Sequence, residues 1–228
     1  MQTLVSRRRF VVRALVGAAA PGVLLRQSLS QASQGVHRVV IGYPAGGSVD
    51  VVGRTLGEYW ATSIGRTVVV ENKPGAAGRL AIDALKNAPA DGSTLLITPA
   101  SVLTMYPHIY KNLGYDVFND LAPVGIVAVT RFVLVVGPLV PPAVRTVEEF
   151  AAWCRNNPDG ARCGNPGAGS LPHFMAMLWA EEAKVPLGHI PYRGGLPAML
   201  AAASGEIASA LATESSALAL EQAGKLRA

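Results

Sequence analysis

The sequence predicts an α/β fold, with two doubly wound domains either side of a cleft. Three observations carry this. Short β-branched runs alternate with helical stretches along most of the chain. Glycine turns join strand to helix at Gly46-Gly47-Ser48, at Gly167-Ala168-Gly169-Ser170 and at Gly194-Gly195. A proline cluster, Pro138, Pro141 and Pro142, interrupts the alternation midway and places the crossing between domains near Gly137. The expected division is residues 1–32 as an export signal, 33–137 as a first α/β domain and 138–228 as a second.

The leader accounts for the charge. The formal charge is +5, but Arg7, Arg8, Arg9, Arg13 and Arg26 all fall within residues 1–32, which contain no acid. Without them the remaining 15 basic and 15 acidic residues balance. The basic balance therefore points to neither nucleic acid nor an acidic membrane as a partner. Ser6-Arg7-Arg8-Arg9-Phe10 is a basic n-region with a twin-arginine look. Ala14 to Leu25 is an apolar run interrupted by Pro21, and Ser30-Gln31-Ala32 offers small residues for cleavage. A soluble protein outside the bacterial cytoplasm is the expectation.

In chain order, His37–Tyr43 reads as a strand, Val49–Ser63 as a helix with Val52, Leu56, Tyr59 and Trp60 on one face, and Thr67–Glu71 as a strand. Ala76–Asn87 reads as a helix, Thr94–Thr98 as a strand and Tyr106–Tyr110 as a short helical piece. Val124–Val129 and Phe132–Val136 both read as strands before the crossing. Beyond it, Thr146 caps a helix to Asn156, with Glu148 and Glu149 in its first turn. Ala161–Gly164 is a strand, and Leu171–Ala183 a helix with Phe174, Met175, Met177 and Leu178 as its apolar positions. Leu187–Tyr192 is a strand, Pro197–Ser204 a helix, Glu206–Ala212 a strand and Ser215–Ala223 a helix.

A glycine turn entering a helix leaves backbone N–H groups beside the positive end of the helix dipole, an anion site. Two such turns facing each other suit a carboxylate. The residues singled out beside the two turns are Tyr43, Asp50, Ser170 and His173. Thr98, at the C-terminal end of a strand, and Arg193, in the third turn, join them. Asp50 either hydrogen-bonds ligand or favours the helix dipole. His173 either donates to an anion or fills a helix–loop contact, and Ser170 caps its helix. Arg193 either pairs with a carboxylate or is solvated, and Tyr43 either walls the pocket or packs beneath the loop.

The glycine turns lack the third glycine of a dinucleotide fingerprint and the Lys-Ser/Thr pair of a P-loop, and there is no Gly-x-Ser-x-Gly elbow. His37, His108, His173 and His189 have no metal-ligand spacing. No catalytic residue, metal or cofactor is therefore predicted. Cys154 and Cys163 either pair across their turn or are small buried residues, and the second reading is adopted.

Several blocks in order resemble the Bug family, periplasmic solute-binding proteins of tripartite tricarboxylate transporters. They are Tyr43-Pro-Ala-Gly-Gly-Ser-Val-Asp50, Val70-Glu-Asn-Lys-Pro-Gly-Ala-Ala-Gly78, Asp91-Gly-Ser-Thr-Leu-Leu96, Gly167-Ala-Gly-Ser-Leu-Pro-His173, His189-Ile-Pro-Tyr-Arg-Gly194 and Gly224-Lys-Leu-Arg-Ala228. Gly42 and Asn165-Pro166 depart from the family pattern. The resemblance implies a hinge-closing fold like the type II periplasmic binding proteins, and a small carboxylate ligand held by the two glycine loops, through Tyr43, Gly46, Gly47, Ser48 and Asp50 on one side and Asn165, Gly167, Ala168, Gly169, Ser170 and His173 on the other. It also implies membrane transporter subunits as partners of a monomer, and a C-terminal part beyond residue 228. The competing functional readings are an exported α/β enzyme acting on an anionic substrate and a ligand-loaded partner of a membrane sensor.

Overall fold

Each of the two sheets is covered by helices on both faces. The computed structural model describes residues 35–228, and His37–Ala228 pack as one unit. The expected export segment lies outside the described residues. Among the described residues, no helix is long and apolar enough to cross a membrane.

The first sheet has strand order β2-β1-β3 and is parallel throughout. Its strands are β1 (His37–Ile41), β2 (Val68–Asn72) and β3 (Thr94–Ile97). Val39, Val40 and Ile41 are consecutive and all buried, the mark of a strand covered on both faces. Helix α1 (Ser48–Ile64) covers one face, where Leu56 and Trp60 pack over Val39 and Ile41. A 3₁₀ turn at Ala76–Gly78 leads into α2 (Arg79–Lys86). Ile82 of α2 builds a second cluster with Val102, Tyr106 and Tyr115 from the chain after β3. Two short helices, α3 (Ser101–Thr104) and α4 (Tyr106–Ile109), follow β3.

The second sheet has order β4-β7-β5-β6, from β4 (Phe132–Val136), β5 (Arg162–Asn165), β6 (Gly188–Pro191) and β7 (Ser209–Thr213). All pairs are parallel except β4 with β7. Helices α5 (Val147–Asn156) and α6 (Leu171–Glu182) cover one face, around Phe150, Cys154, Cys163 and Ala176. Helices α7 (Gly195–Ser204) and α8 (Glu214–Gln222) cover the other, around Val135, Met199, Ala210 and Ala217. Thr146 and Glu149 form a reciprocal capping box at the start of α5. Cys154 and Cys163 are free and buried, and burial pushes both thiols up to about 11.

Four expectations are corrected. Val124–Val129 forms no strand. Val124, Ile126 and Val129 are exposed, and no described strand lies alongside to satisfy their backbone groups. Phe132–Val136, read as lying before the crossing, hydrogen-bonds into the second sheet, because the small side chains of β7 (Ser-Ala-Leu-Ala-Thr) accept its bulky ones. In α1, Tyr59 points outward (77 % exposed), and the helix meets its sheet through Gly53 and Gly57. A Cβ on Gly53 would lie 2.4 Å from the Ile41 side chain. In α6, Met175, Met177 and Leu178 are exposed, while Pro172, Ala176 and Ala180 are buried.

Gly42, which departs from the family pattern, is required where it stands. A Cβ there would sit 2.7 Å from both the Cα and the carbonyl oxygen of Gly78. The 3₁₀ turn could not then lie against the end of β1.

Candidate functional site

A cavity of about 310 Å³ lies between the two sheets, at the C-terminal ends of their strands. The chain after β1 contributes Tyr43, Pro44, Gly47 and Ser48, and the chain after β3 contributes Thr98 to Ser101. The chain after β6 adds Gly194 and Gly195, and β7 with the start of α8 adds Thr213 and Ser216.

The N-termini of α1, α7 and α8 all open onto this cavity. Their N-caps are Gly47, Gly194 and Thr213, and none caps a backbone N–H of its helix with a side chain. The first-turn N–H groups have no intrahelical acceptor by helix geometry. Ser48, Val49, Gly195, Leu196 and Ser216, all within these first turns, line the cavity. Three hydroxyls meet at the same place: Thr213 Oγ1 donates to Ser48 Oγ at 3.1 Å and lies 2.8 Å from Ser216 Oγ. Thr98 Oγ1, at the end of β3, is buried and has no hydrogen-bond partner among the described residues.

The first glycine turn is held from behind. Asp50 is 3 % exposed; its Oδ2 accepts from the Gly46 N–H and from Arg54 Nε, both at 2.9 Å, and its Oδ1 accepts from Asn72 Nδ2 at 2.8 Å. Burial opposes ionisation, but these hydrogen bonds and the Arg54 charge outweigh it and hold the carboxyl below its usual range. Asn72 Nδ2 also donates to the Tyr43 carbonyl. Asp50 thus ties the turn to β2 and does not line the cavity. Gly46 is likewise absent from the lining, its N–H being committed to Asp50. Tyr43 does both things expected of it. Its ring lines the cavity, and its hydroxyl donates to the Ala77 carbonyl at 3.4 Å, with burial pushing it up to about 12.

The second glycine loop differs from its expectation as a nest of free amides. The Gly167 N–H goes to Asn165 Oδ1, the Gly169 N–H to His173 Nδ1 at 3.1 Å, and the Ser170 N–H to the Gly167 carbonyl. Ser170 caps α6 by accepting from the His173 N–H. Of this stretch Ser170, Leu171 and Pro172, with the neighbouring Pro166, line the cavity; Asn165, Gly167, Ala168, Gly169 and His173 do not. The loop faces the first sheet's side instead. The Tyr110 hydroxyl donates to the Ala168 carbonyl at 2.9 Å, and a Cβ on Gly167 would touch Ala77 at 3.1 Å. The His173 ring lies edge-on to His189 with centroids 5.2 Å apart, and burial lowers the pKa of both.

Arg193 is exposed and outside the lining; the two glycines that follow it form the wall instead. Nothing in the sequence marks Thr213 and Ser216, since no glycine precedes α8, or Asn72 as the residue that braces the first turn. Arg54 was legible in principle, four residues beyond Asp50 on one helix face.

Comparison with known proteins places this geometry. The profile of the tripartite tricarboxylate transporter family receptor matches residues 52–228. The UPF0065 protein in the gbd 5′ region of Cupriavidus necator is 35% identical over 97% of this chain and 68% of its own length. A structure described as a periplasmic transporter is 31% identical with a TM-score of 0.79, covering 86% of this chain and 65% of its own. An R. palustris protein solved with adipate is 25% identical with a TM-score of 0.80, covering 86% and 64%. The chain therefore spans about two thirds of the length of these proteins. The fold is that of the periplasmic binding proteins, and the chain belongs to the tripartite tricarboxylate transporter receptor family.

Proposed function

We propose that the protein is a periplasmic receptor that captures a small carboxylate between its two sheets and presents it to membrane transporter subunits. The observation that carries this is the convergence of the α1, α7 and α8 N-termini with the Ser48, Thr213 and Ser216 hydroxyls on one cavity. A helix N-terminus favours an anion by about 0.3–1 kcal/mol, rising to about 2 when partly buried. A hydrogen bond to a charged group contributes about 1.5–3 kcal/mol. Several of each together offset the several kcal/mol needed to desolvate one carboxylate. The adipate in the R. palustris relative supports the same ligand chemistry.

In this reading the two sheets belong to two domains that close on the ligand. Backbone N–H groups of Ser48, Val49, Gly195 and Ser216 take the carboxylate, and the Asp50–Asn72 bracket fixes the first turn before ligand arrives. The second glycine loop acts as a strut, since its Gly167, Gly169 and Ser170 N–H groups are already used.

The test is a thermal melt of the chain with a panel of carboxylates and their uncharged amides. A ligand at about a hundred times its dissociation constant adds about 2.7 kcal/mol. For a chain of this size the midpoint rises by roughly 5–10 °C. The reading predicts such a shift with one class of carboxylate, no consumption of the ligand and no shift with the amide. Equal shifts with acid and amide would remove the anion role assigned to the helix termini.

A further inference from the structure

We infer that Tyr110 is a positioning residue for capture: it latches the two sides together from outside the cavity and so sets affinity without touching the ligand. This rests on the reading above that the two sides close on a carboxylate. Tyr110 follows α4 on the first sheet's side, and Ala168 belongs to the second glycine loop. The Tyr110 hydroxyl donates to the Ala168 carbonyl at 2.9 Å, across 58 residues of sequence. Neither residue is among those that line the cavity. The other hydroxyl contact between the sides, Thr213 to Ser48, stands on the cavity wall, where a ligand competes for the same groups.

Each half of the contact is held by its own side. The Arg79 guanidinium lies 4.1 Å from the Tyr110 ring centroid, and Tyr106 packs edge-on with centroids 5.1 Å apart. Arg79 Nε donates to the Ala76 carbonyl, and the buried Tyr106 donates its hydroxyl to the Ala77 carbonyl at 3.0 Å. All four residues belong to the first side, so the Tyr110 ring keeps its aim when the sides part. On the second side, Asn165 Oδ1 takes the Gly167 N–H and His173 Nδ1 takes the Gly169 N–H, which fixes the backbone before and after Ala168. Gly169 has φ +78°, and a Cβ there would lie 3.0 Å from both the Tyr110 hydroxyl and Ile109 Cδ1. Bare backbone at this position lets the ring reach the carbonyl. A bond made only where the sides meet raises the share of closed molecules, and apparent affinity rises with that share. Because the bond is remote from the ligand, the gain is the same for every ligand that closes the cleft.

Tyr110→Phe keeps the ring and removes the hydroxyl. Isothermal titration of the full chain with adipate, malate and hexanoate reads the effect. Tyr115→Phe is the comparison, since the buried Tyr115 hydroxyl donates to the Val102 carbonyl wholly within the first side. The expected result is that Tyr110→Phe weakens every acid that binds by one common factor, roughly three- to tenfold for one neutral hydrogen bond, with their order of preference unchanged. Tyr115→Phe should instead lower the ligand-free melting midpoint and leave affinity as it was. Unchanged affinity in Tyr110→Phe, or an equal loss in both variants, overturns this inference and leaves the carboxylate reading standing. Losses that differ between acids overturn it too, since Tyr110 would then act on the ligand directly. Failure of all three acids to bind the unsubstituted chain overturns the carboxylate reading and this inference with it.

Discussion

The residue that best illustrates how the glycine loops are set is His173. Its Nδ1 accepts the Gly169 N–H, which places the ring proton on Nε2 and keeps the ring neutral. Burial depresses its pKa, and His189 beside it is depressed by burial and by the His173 charge. A histidine whose folded pKa lies below its unfolded value of about 6.5 contributes stability that is complete above that pH and is lost as pH falls through the folded pKa. The melting midpoint should therefore drop between pH 7.5 and pH 5.5. In His173→Gln, whose side-chain carbonyl still accepts the Gly169 N–H but does not titrate, the drop should shrink. An unchanged drop in that variant would assign the pH effect elsewhere. Asp50 works in the opposite range. Its depressed carboxyl supports the first turn above about pH 4 and releases Gly46 and Asn72 only in stronger acid.

At the scale of the element, helices meet sheets here through small residues. Gly53 and Gly57 of α1, Ala176 and Ala180 of α6, and Ala198, Ala201 and Ala202 of α7 form the buried faces. The closest approach is at the end of β4, where a Cβ on Gly137 would lie 1.8 Å from the Ala202 carbonyl oxygen. Gly137→Ala should accordingly destabilise by about 1–3 kcal/mol, the usual range for overpacking. Thermal or urea denaturation reads it, and a loss within experimental error would show that α7 moves away freely. This packing style also explains what the sequence made legible. Strand–helix alternation and capping residues were readable, as Thr146 with Glu149 shows, and so was the register of glycine turns. The buried faces of α1 and α6 were not, because large apolar residues set the visible period while glycine and alanine make the contacts. Nor was the fate of Val124–Val129, since β-propensity does not say whether a neighbouring strand exists. The candidate site was half legible. Of the residues singled out in the sequence, Tyr43, Gly47, Ser48, Thr98 and Ser170 line the cavity. The Gly167 and Gly169 amides of the second loop are taken by Asn165 and His173, acceptors whose aim a sequence does not reveal.

For the whole molecule, contact between the two sheets' sides is made at several separate points. Thr213 reaches Ser48, Tyr110 reaches the Ala168 carbonyl, and Gly167 lies against Ala77. Each pairs a residue of the first sheet's side with one of the second, so the cavity wall depends on how the two sides meet. The lining itself carries no ionised side chain among the described residues; its polarity comes from peptide groups and hydroxyls. Such groups have no counterions to shed, and within a walled cleft they are screened far less than exposed charges. Affinity should thus stay nearly level when sodium chloride is raised from 20 to 500 mM, where a site built on an exposed arginine would weaken several-fold. Titration at the two salt concentrations measures this, and a steep decline would reveal a cation acting on the ligand from outside the cavity wall. A receptor of this kind keeps the same grip on its ligand whether the surrounding medium is dilute or briny.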